Sequence, residues 1–377
     1  MSDRSYLSFN SNGKFKIMII TDIQDGLHVS SYTMELITKA LDSEKPDLVI
    51  LGGDNICGFA PSLYFSAKHV RQSISTFLKP ITDQNIPFCV VFGNHDANRA
   101  MSKTEQMGYF LSFDQCYAQY GAISDRIGNY HLLLKDSNQE KDIFNLWFMD
   151  SGEYADDKIT NGYAYVTSEQ IAWYEEESKE LKRNNDGNPI PSLLFQHIPV
   201  PEIYNVLSPA TKETKGAVRG HRTYKDKYYV TNPELVRMGS MEEAPCPPDT
   251  NSGQFESWKK QGDILAAFFG HDHLNDFNSI YDGISLIYTP GAGFYSYGKK
   301  GGHGVRIVEL KENDLLHFET RMVYFSDVSD QTVPWYVERI GTQIISIIIG
   351  ILLLIFLFSI ILCRKIITLS NHSFKKN

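Results

Sequence analysis

The chain lacks a Cys-x-x-Cys pair, a basic run in its main body, internal repeats and low-complexity tracts. Each absence excludes something. The five cysteines, Cys57, Cys89, Cys116, Cys246 and Cys363, are odd in number and form no framework. That argues against a disulfide scaffold or a Cys-rich structural zinc site and for reduced thiols in a cytosolic compartment. A net charge of −9 without a basic face argues against nucleic acid as a partner. No signal peptide is expected either, because residues 1–13 are polar and the first apolar run, 15–20, is short and has no small-residue cleavage site after it. The N-x-[ST] sequon is scarce: it occurs as Asn371-His372-Ser373 in the tail, which suits a domain that is not secreted.

Hydrophobic residues make up 42% of the 377, enough for one large or two ordinary globular domains. Near the C-terminus, residues 344–363 hold no charge and are dominated by Ile, Leu and Phe. About 20 such residues cross a bilayer as a helix. The tail beyond carries Arg364, Lys365, Lys375 and Lys376 and no acid, which by the positive-inside rule would leave it in the cytosol. Nothing at the N-terminus could lead a large domain across, however, so tail anchoring with the body facing the cytoplasm is the expected topology. The chain then divides into a domain over 1–328, a linker over 329–343, a single-pass span over 344–363 and a short basic tail over 364–377.

Within the domain, short apolar runs alternate with amphipathic stretches. Strands are predicted at 15–21, 48–51, 88–92, 130–134, 143–149, 193–195 and 264–269, with helices at 31–42, 61–79, 102–120, 168–182 and 252–261. Strands at 279–281, 284–288, 305–310 and 316–323 close the domain. This order indicates an α/β layered fold with mixed sheets. The stretch 198–251, rich in Pro, Gly and charge, reads as a long functional loop.

Five polar clusters follow predicted strands: Asp22-Ile23-Gln24, Gly53-Asp54-Asn55, Gly93-Asn94-His95-Asp96, Gln196-His197 and Gly270-His271-Asp272-His273. Ligands gather beyond the carboxyl ends of strands in open α/β sheets, so residues far apart in sequence can meet at one point. Asp22 and Asp54 offer anionic oxygens, Gln24 and Asn94 amide oxygens, and His197, His271 and His273 imidazole nitrogens. Mixed N and O donors suit Mn, Fe or Zn rather than Ca. Two-metal sites need a carboxylate bridging ions about 3.5–4 Å apart, and Asp54 is the natural bridge. Gly-Asn-His-Asp arises by chance in such a chain on the order of once in a thousand, so it anchors the reading more firmly than Gly-His-x-His.

The order Asp-x-[His/Gln], Gly-Asp, Gly-Asn-His-[Asp/Glu], His, Gly-His-x-His resembles the calcineurin-like metallophosphoesterases. The match is closer to their purple-acid-phosphatase-like branch of plants and fungi. It is carried by Asn161-Gly162-Tyr163-Ala164, by His197 to Glu202, by Asn251-Ser252-Gly253-Gln254-Phe255, and by Gly270 to Asp276 continued by Gly291-Ala292-Gly293-Phe294. Covering about Lys14 to Tyr324, the resemblance implies a four-layer αββα sandwich with two mixed sheets, to which the C-terminal transmembrane helix is added. Two positions depart from the pattern. Gln24 stands where the family commonly has His, and Cys57 stands where purple acid phosphatases place a metal-bound Tyr, so a tyrosinate–iron centre is not expected and Cys57 reads as a small buried residue.

The function this implies is hydrolysis of phosphomonoesters, phosphoproteins among them, by attack of a metal-bridging hydroxide held by two ions. His95, beside ligand Asn94 but not itself a ligand, is the candidate proton donor to the leaving alkoxide, a role the resemblance also assigns to it. Arg219 and His221, with Arg222, are candidates to clamp the substrate phosphate. The competing readings are a phosphodiesterase acting on a nucleotide or lipid headgroup, and a membrane-tethered scaffold with a degenerate metal site.

Overall fold

The computed structural model describes residues 6–123, 126–155 and 162–342, together with Ile348, Leu352, Ile355 and Ser359. A five-stranded sheet runs in the order Phe318–Tyr324, Gly304–Lys311, Lys14–Ile20, Leu48–Gly52, Phe88–Val91. Its last three strands are parallel neighbours and the first two are antiparallel. An eight-stranded mixed sheet runs Leu7–Ser8, Tyr130–Lys135, Asp142–Phe148, Ser192–Phe195, Ile264–Phe269, Ile284–Tyr288, Asn278–Tyr281, Val236–Met238. Lys14–Ile20 and Leu48–Gly52 are nearly continuous apolar runs because both their faces are covered.

Alternation along the strands of the larger sheet separates two cores. Leu146, Phe148, Leu193, Phe195, Ala266 and Phe268 face the smaller sheet and share a core with Ile17, Ile19, Val49 and Val90. Trp147, Leu194, Ala267 and Phe269 face the other way, onto Tyr174 of helix Ser168–Asn184 and Phe255 and Trp258 of helix Gln254–Gln261. On the far side of the smaller sheet lie helices Ser31–Glu44 and Ala67–Asp83, which bury Leu36, Ile37, Val70, Ile74 and Phe77. The layers are therefore helix, sheet, sheet, helix. Each large apolar side chain buried there contributes about 1.5–3 kcal/mol. Arg306 crosses between the sheets, donating to the carbonyls of Tyr288 and Asp276.

The structure corrects several expectations. The stretch 198–251 is not an unstructured loop but holds a third, antiparallel sheet of Leu207–Ala210, Tyr228–Thr231 and Val218–Arg219. The mixed α/β fold therefore has more than two sheets. The long helix expected over 61–79 breaks at Phe65, because Ser66 caps a new helix by accepting from the His69 amide. Thr167 caps the helix Ser168–Asn184, accepting from the Gln170 amide, one residue earlier than the Ser168 cap that the sequence suggests. The helix begun at Ser102 ends at Phe110.

Residues 329–342, read as a linker, lie against the domain. Ser329 donates to Glu35 at 2.7 Å, Val337 is buried in the main core, and the Thr342 amide donates to Phe294 O at 3.2 Å. Among the described residues no helix is long and apolar enough to cross a membrane. The expected span 344–363 lies outside the described residues except at Ile348, Leu352, Ile355 and Ser359; these four are helical, and the three apolar ones are exposed.

Candidate metal centre

The clusters sit where the strand ends of the two large sheets converge. Asp22 and Gln24 follow Lys14–Ile20, Asp54 follows Leu48–Gly52, and Asn94 and His95 follow Phe88–Val91. From the other sheet, His197 follows Ser192–Phe195, and His271 and His273 follow the parallel neighbour Ile264–Phe269. Backbone bonds fasten the loops together: the Asp22 amide to Gly53 O, the Gln24 amide to Asp54 O and the Gly270 amide to His197 O. The approach is close enough to require glycine. A Cβ on Gly53, whose φ is +96°, would lie 2.5 Å from His197 Nδ1, and one on Gly93 would lie 2.1 Å from Asp54 Oδ1.

Two overlapping triads result: Asp54, His197 and His271, and Asp22, Asp54 and His273. Within each, all donor atoms lie within 4.8 Å of one another. Asp54 belongs to both, as a bridging carboxylate must. His197 Nε2 is 3.1 Å from Asp54 Oδ2, and His273 Nε2 is 3.2 Å from Asp22 Oδ1. The imidazoles are aimed from behind. His197 Nδ1 donates to Gly52 O and His273 Nδ1 to Tyr297 O, so each directs Nε2 at the centre. Asn94 Nδ2 donates to Tyr154 Oη at 3.2 Å, which turns the amide oxygen inward.

The residues fit a metal pair. Asp22 Oδ1, Gln24 Oε1, Asn94 Oδ1, His197 Nε2 and His271 Nε2 are all buried without a hydrogen-bond partner. A buried polar atom left so costs about 1–3 kcal/mol, and these lone pairs converge on one place. Asp22, Gln24, Asp54 and His271 also hold positive φ values between 45° and 71°, a concentration of backbone strain of the kind found at ligand sites.

The electrostatics agree. Burial is the largest single influence on Asp22 and Asp54 and opposes their ionisation, yet the surrounding histidines, His197 first among them, together outweigh it and hold both carboxyls below their usual range. Burial likewise disfavours charge on His197 and His273, but the carboxylates of Asp54 and Asp22 lift them to about 9. Burial, reinforced by His197, pushes His271 down to about 3, so it stays neutral. A centre that draws protons onto two histidines is one that calls for cations.

His95 is half-buried beside the centre, with its ring edge-on to Phe59 at 5.6 Å and its Nδ1 unpartnered. Cys57 is a buried thiol, pushed up to about 11 by burial and then by Asp54, and joins neither triad. Cys57, Cys89 and Cys246 are free thiols. Of the phosphate-clamp candidates, His221 lies near the site through Tyr163, at 6.2 Å between rings. Arg219 is exposed at the end of strand Val218–Arg219, with Nε donating to Lys225 O. Arg222 is paired with Asp249 at 2.8 Å.

Sequence reasoning missed the residues that position the ligands. Asp96 accepts from the amides of Asn55, Ile56 and Gly93 and from Asn55 Nδ2, and so ties the Gly-Asp loop to the Gly-Asn-His-Asp loop. Its place at the end of that motif was the available signal. Tyr297 stacks on His273 at 4.4 Å, and Glu243 receives the Tyr297 hydroxyl at 3.0 Å and the Leu274 amide at 2.7 Å. Gln254 donates to Gln196 and Asn251 to Glu202, which joins two of the stretches that carried the resemblance.

Residues 15–275 match the calcineurin-like phosphoesterase family, and the chain belongs to it. Among curated relatives it is 29% identical to "Probable inactive purple acid phosphatase 29" of Arabidopsis thaliana, over 80% of this chain and 77% of that one. It is 26% identical to "Phosphatase DCR2" of Saccharomyces cerevisiae, over 82% of this chain and 53% of that one. A solved dimetal phosphatase from Danio rerio aligns with TM-score 0.49 at 12% identity, covering 82% of this chain and 98% of that one.

Proposed function

We propose that the chain is a metal-dependent phosphomonoesterase, acting on phosphorylated substrates that include phosphoproteins. The observation that supports this best is the set of five buried, unpartnered lone-pair atoms around Asp54. Asp54, His197, His271 and Asn94 would hold one ion and Asp54, Asp22, Gln24 and His273 the other, with Mn, Fe or Zn as candidates. When bound, such a pair supplies an activated water and neutralises charge on the phosphoryl group. The chain's own contribution is orientation and proton supply. Asp54 Oδ1 receives the His95 amide at 2.7 Å, which holds the ring at the edge of the centre, where it can protonate the leaving oxygen. His221, whose Nδ1 is also unpartnered, is proposed to contact the substrate from the rim, with Arg219 a more distant candidate.

The run 344–363 is proposed to anchor the domain in a membrane, with the domain on the cytoplasmic side. Its absence of charge and the exposed helical positions Ile348, Leu352 and Ile355 support this.

A second reading is a membrane-tethered scaffold with a degenerate centre. It is favoured by Gln24 in place of histidine and by relatives bearing the name "probable inactive". A third, a phosphodiesterase, is favoured by the membrane run if the substrate is a lipid headgroup. Metal analysis with turnover of p-nitrophenyl phosphate and its bis ester, under Mn, Fe and Zn, separates them. The proposal expects about two ions per chain and preference for the monoester. Fewer than one ion with no hydrolysis establishes the scaffold, and preference for the bis ester the diesterase.

A further inference from the structure

The candidate metal-site side chains are buried, and aromatic rings stand beside Asn94, His271, His273 and the adjoining His95. Phe59 meets His95 edge-on at 5.6 Å. The Tyr154 hydroxyl accepts from Asn94, and the Tyr154 ring stacks on Tyr163 at 5.8 Å. Tyr163 in turn meets His271 edge-on at 4.4 Å, and Tyr297 lies flat on His273 at 4.4 Å. The four rings come from separate segments of the chain. Phe59 is 49% exposed, Tyr154 45% and Tyr297 38%, whereas Asn94, His271 and His273 behind the tyrosines are at most 8% exposed. A substrate arriving from solvent therefore meets ring faces and edges before it meets a ligand.

Isolated exposed aromatics need no explanation, but aromatics gathered on one functional site mark what that site binds. The hydroxyl of Tyr154 and the backbone carbonyl of Tyr297 hold ligands in place, which accounts for part of those two residues. Phe59 has no polar group, and orienting His95 does not require half its ring to stay in water. Three cations of the flanking loops are committed to acids, Lys103 to Asp150 and Glu153, Arg222 to Asp249, and Lys299 to Asp276 and Glu242, and Arg99 stands over the Tyr64 ring at 5.9 Å. What the rim offers to the part of the substrate beyond phosphorus is apolar surface.

We infer that the site selects phosphoesters whose leaving group carries an apolar body next to the ester oxygen, seated against Phe59 and the rings of Tyr154 and Tyr297. Phe59 is then a specificity-determining residue, placed beside the side chain proposed to protonate that same oxygen. This rests on the reading of the centre as a phosphoesterase. The apolar body is either an aromatic ring or a lipid chain, and both would use the same collar.

The test uses the full metal-loaded chain and three esters of similar alkyl alcohols: benzyl phosphate, dodecyl phosphate in mixed micelles, and glycerol 2-phosphate. The kcat/KM for benzyl or dodecyl phosphate is expected to exceed that for glycerol 2-phosphate by about tenfold, the discrimination a small apolar contact gives. The larger of the two identifies ring or chain. Phe59→Ala should shrink the ratio at least threefold at unchanged metal content, and Phe59→Leu should retain most of it. Equal values for all three esters, or a ratio unmoved in Phe59→Ala, would overturn the inference. Should none be hydrolysed, the phosphoesterase reading has failed on its own account. Calorimetry then decides: benzylphosphonate binding the metal-loaded chain about tenfold tighter than methylphosphonate supports the collar, and equal affinities reject it.

Discussion

The backbone amide of His95 donates to Oδ1 of Asp54 at 2.7 Å, so the carboxylate shared by both triads also fixes the turn that presents the proposed proton donor. Because the bond uses the backbone, His95→Ala keeps it. That variant should retain its metals and lose about 10²- to 10⁴-fold in turnover on esters of poor leaving groups. Metal analysis beside kcat checks both halves, and unchanged turnover would remove His95 from the mechanism.

Gln24 offers an amide oxygen where imidazole would bind transition ions more tightly. Its Oε1 is buried and unpartnered, and its φ of +45° is one that histidine also tolerates. Gln24→His should tighten the weaker of the two metal sites by on the order of tenfold, about 1.4 kcal/mol. Titration of the metal-stripped chain with Zn or Mn measures this directly, and a loosened site would show that Gln24 is tuned to its neighbours.

Asp96 answers four N–H donors at distances from 2.7 to 3.1 Å. Asp96→Ala leaves them buried and unmet, at a cost of about 3 kcal/mol or more. Asp96→Asn keeps the shape and one acceptor and should cost less. Denaturant midpoints rank the two variants, and equal stability with the parent chain would contradict the positioning role.

His303 gives a pH dependence outside the candidate ligand set, although the charge of His273 reaches it. It is buried, stacked on Phe294 at 3.9 Å, with Nε2 donating to Glu338 O. Burial depresses its pKa from 6.5 to about 4. The unfolded chain therefore binds the extra proton between those values and the folded chain does not. The stability this histidine contributes is complete above about pH 6.5 and is lost as pH falls towards 4, by about 3 kcal/mol in total. His303→Gln keeps a donor for Glu338 O and should flatten this part of the profile. Chemical unfolding of both proteins at pH 7 and 4.5 makes the comparison.

The convergence of the candidate ligands was legible because each follows an apolar run in a short polar cluster, and a strand end leaves few directions for such a cluster to point. The parallel core strands were legible for the same reason. The small sheet over Leu207–Thr231 was not, since strands of two to four residues, one holding Pro209, have no measurable period. Neither were Tyr154, Tyr163 and Tyr297 as supports for ligands: a tyrosine in a loop has no local signature, and its partner is fixed by tertiary contact. The helix break at Ser66 turned on one capping bond, worth about 1 kcal/mol, against an otherwise continuous helical pattern.

One stretch of five residues, 293–297, touches both ends of the molecule's business. On one side the Gly293 amide holds Asp22 O and the Tyr297 carbonyl holds His273. On the other, Phe294 O takes the Thr342 amide, and Gly341 presses on Tyr295 closely enough that a Cβ would come within 2.3 Å of its carbonyl. The apolar run begins just past Thr342. Under the proposed anchoring, tension reaching Thr342 would be borne by the loop that seats Asp22 and His273, and the spacing between those two residues would respond to mechanical load.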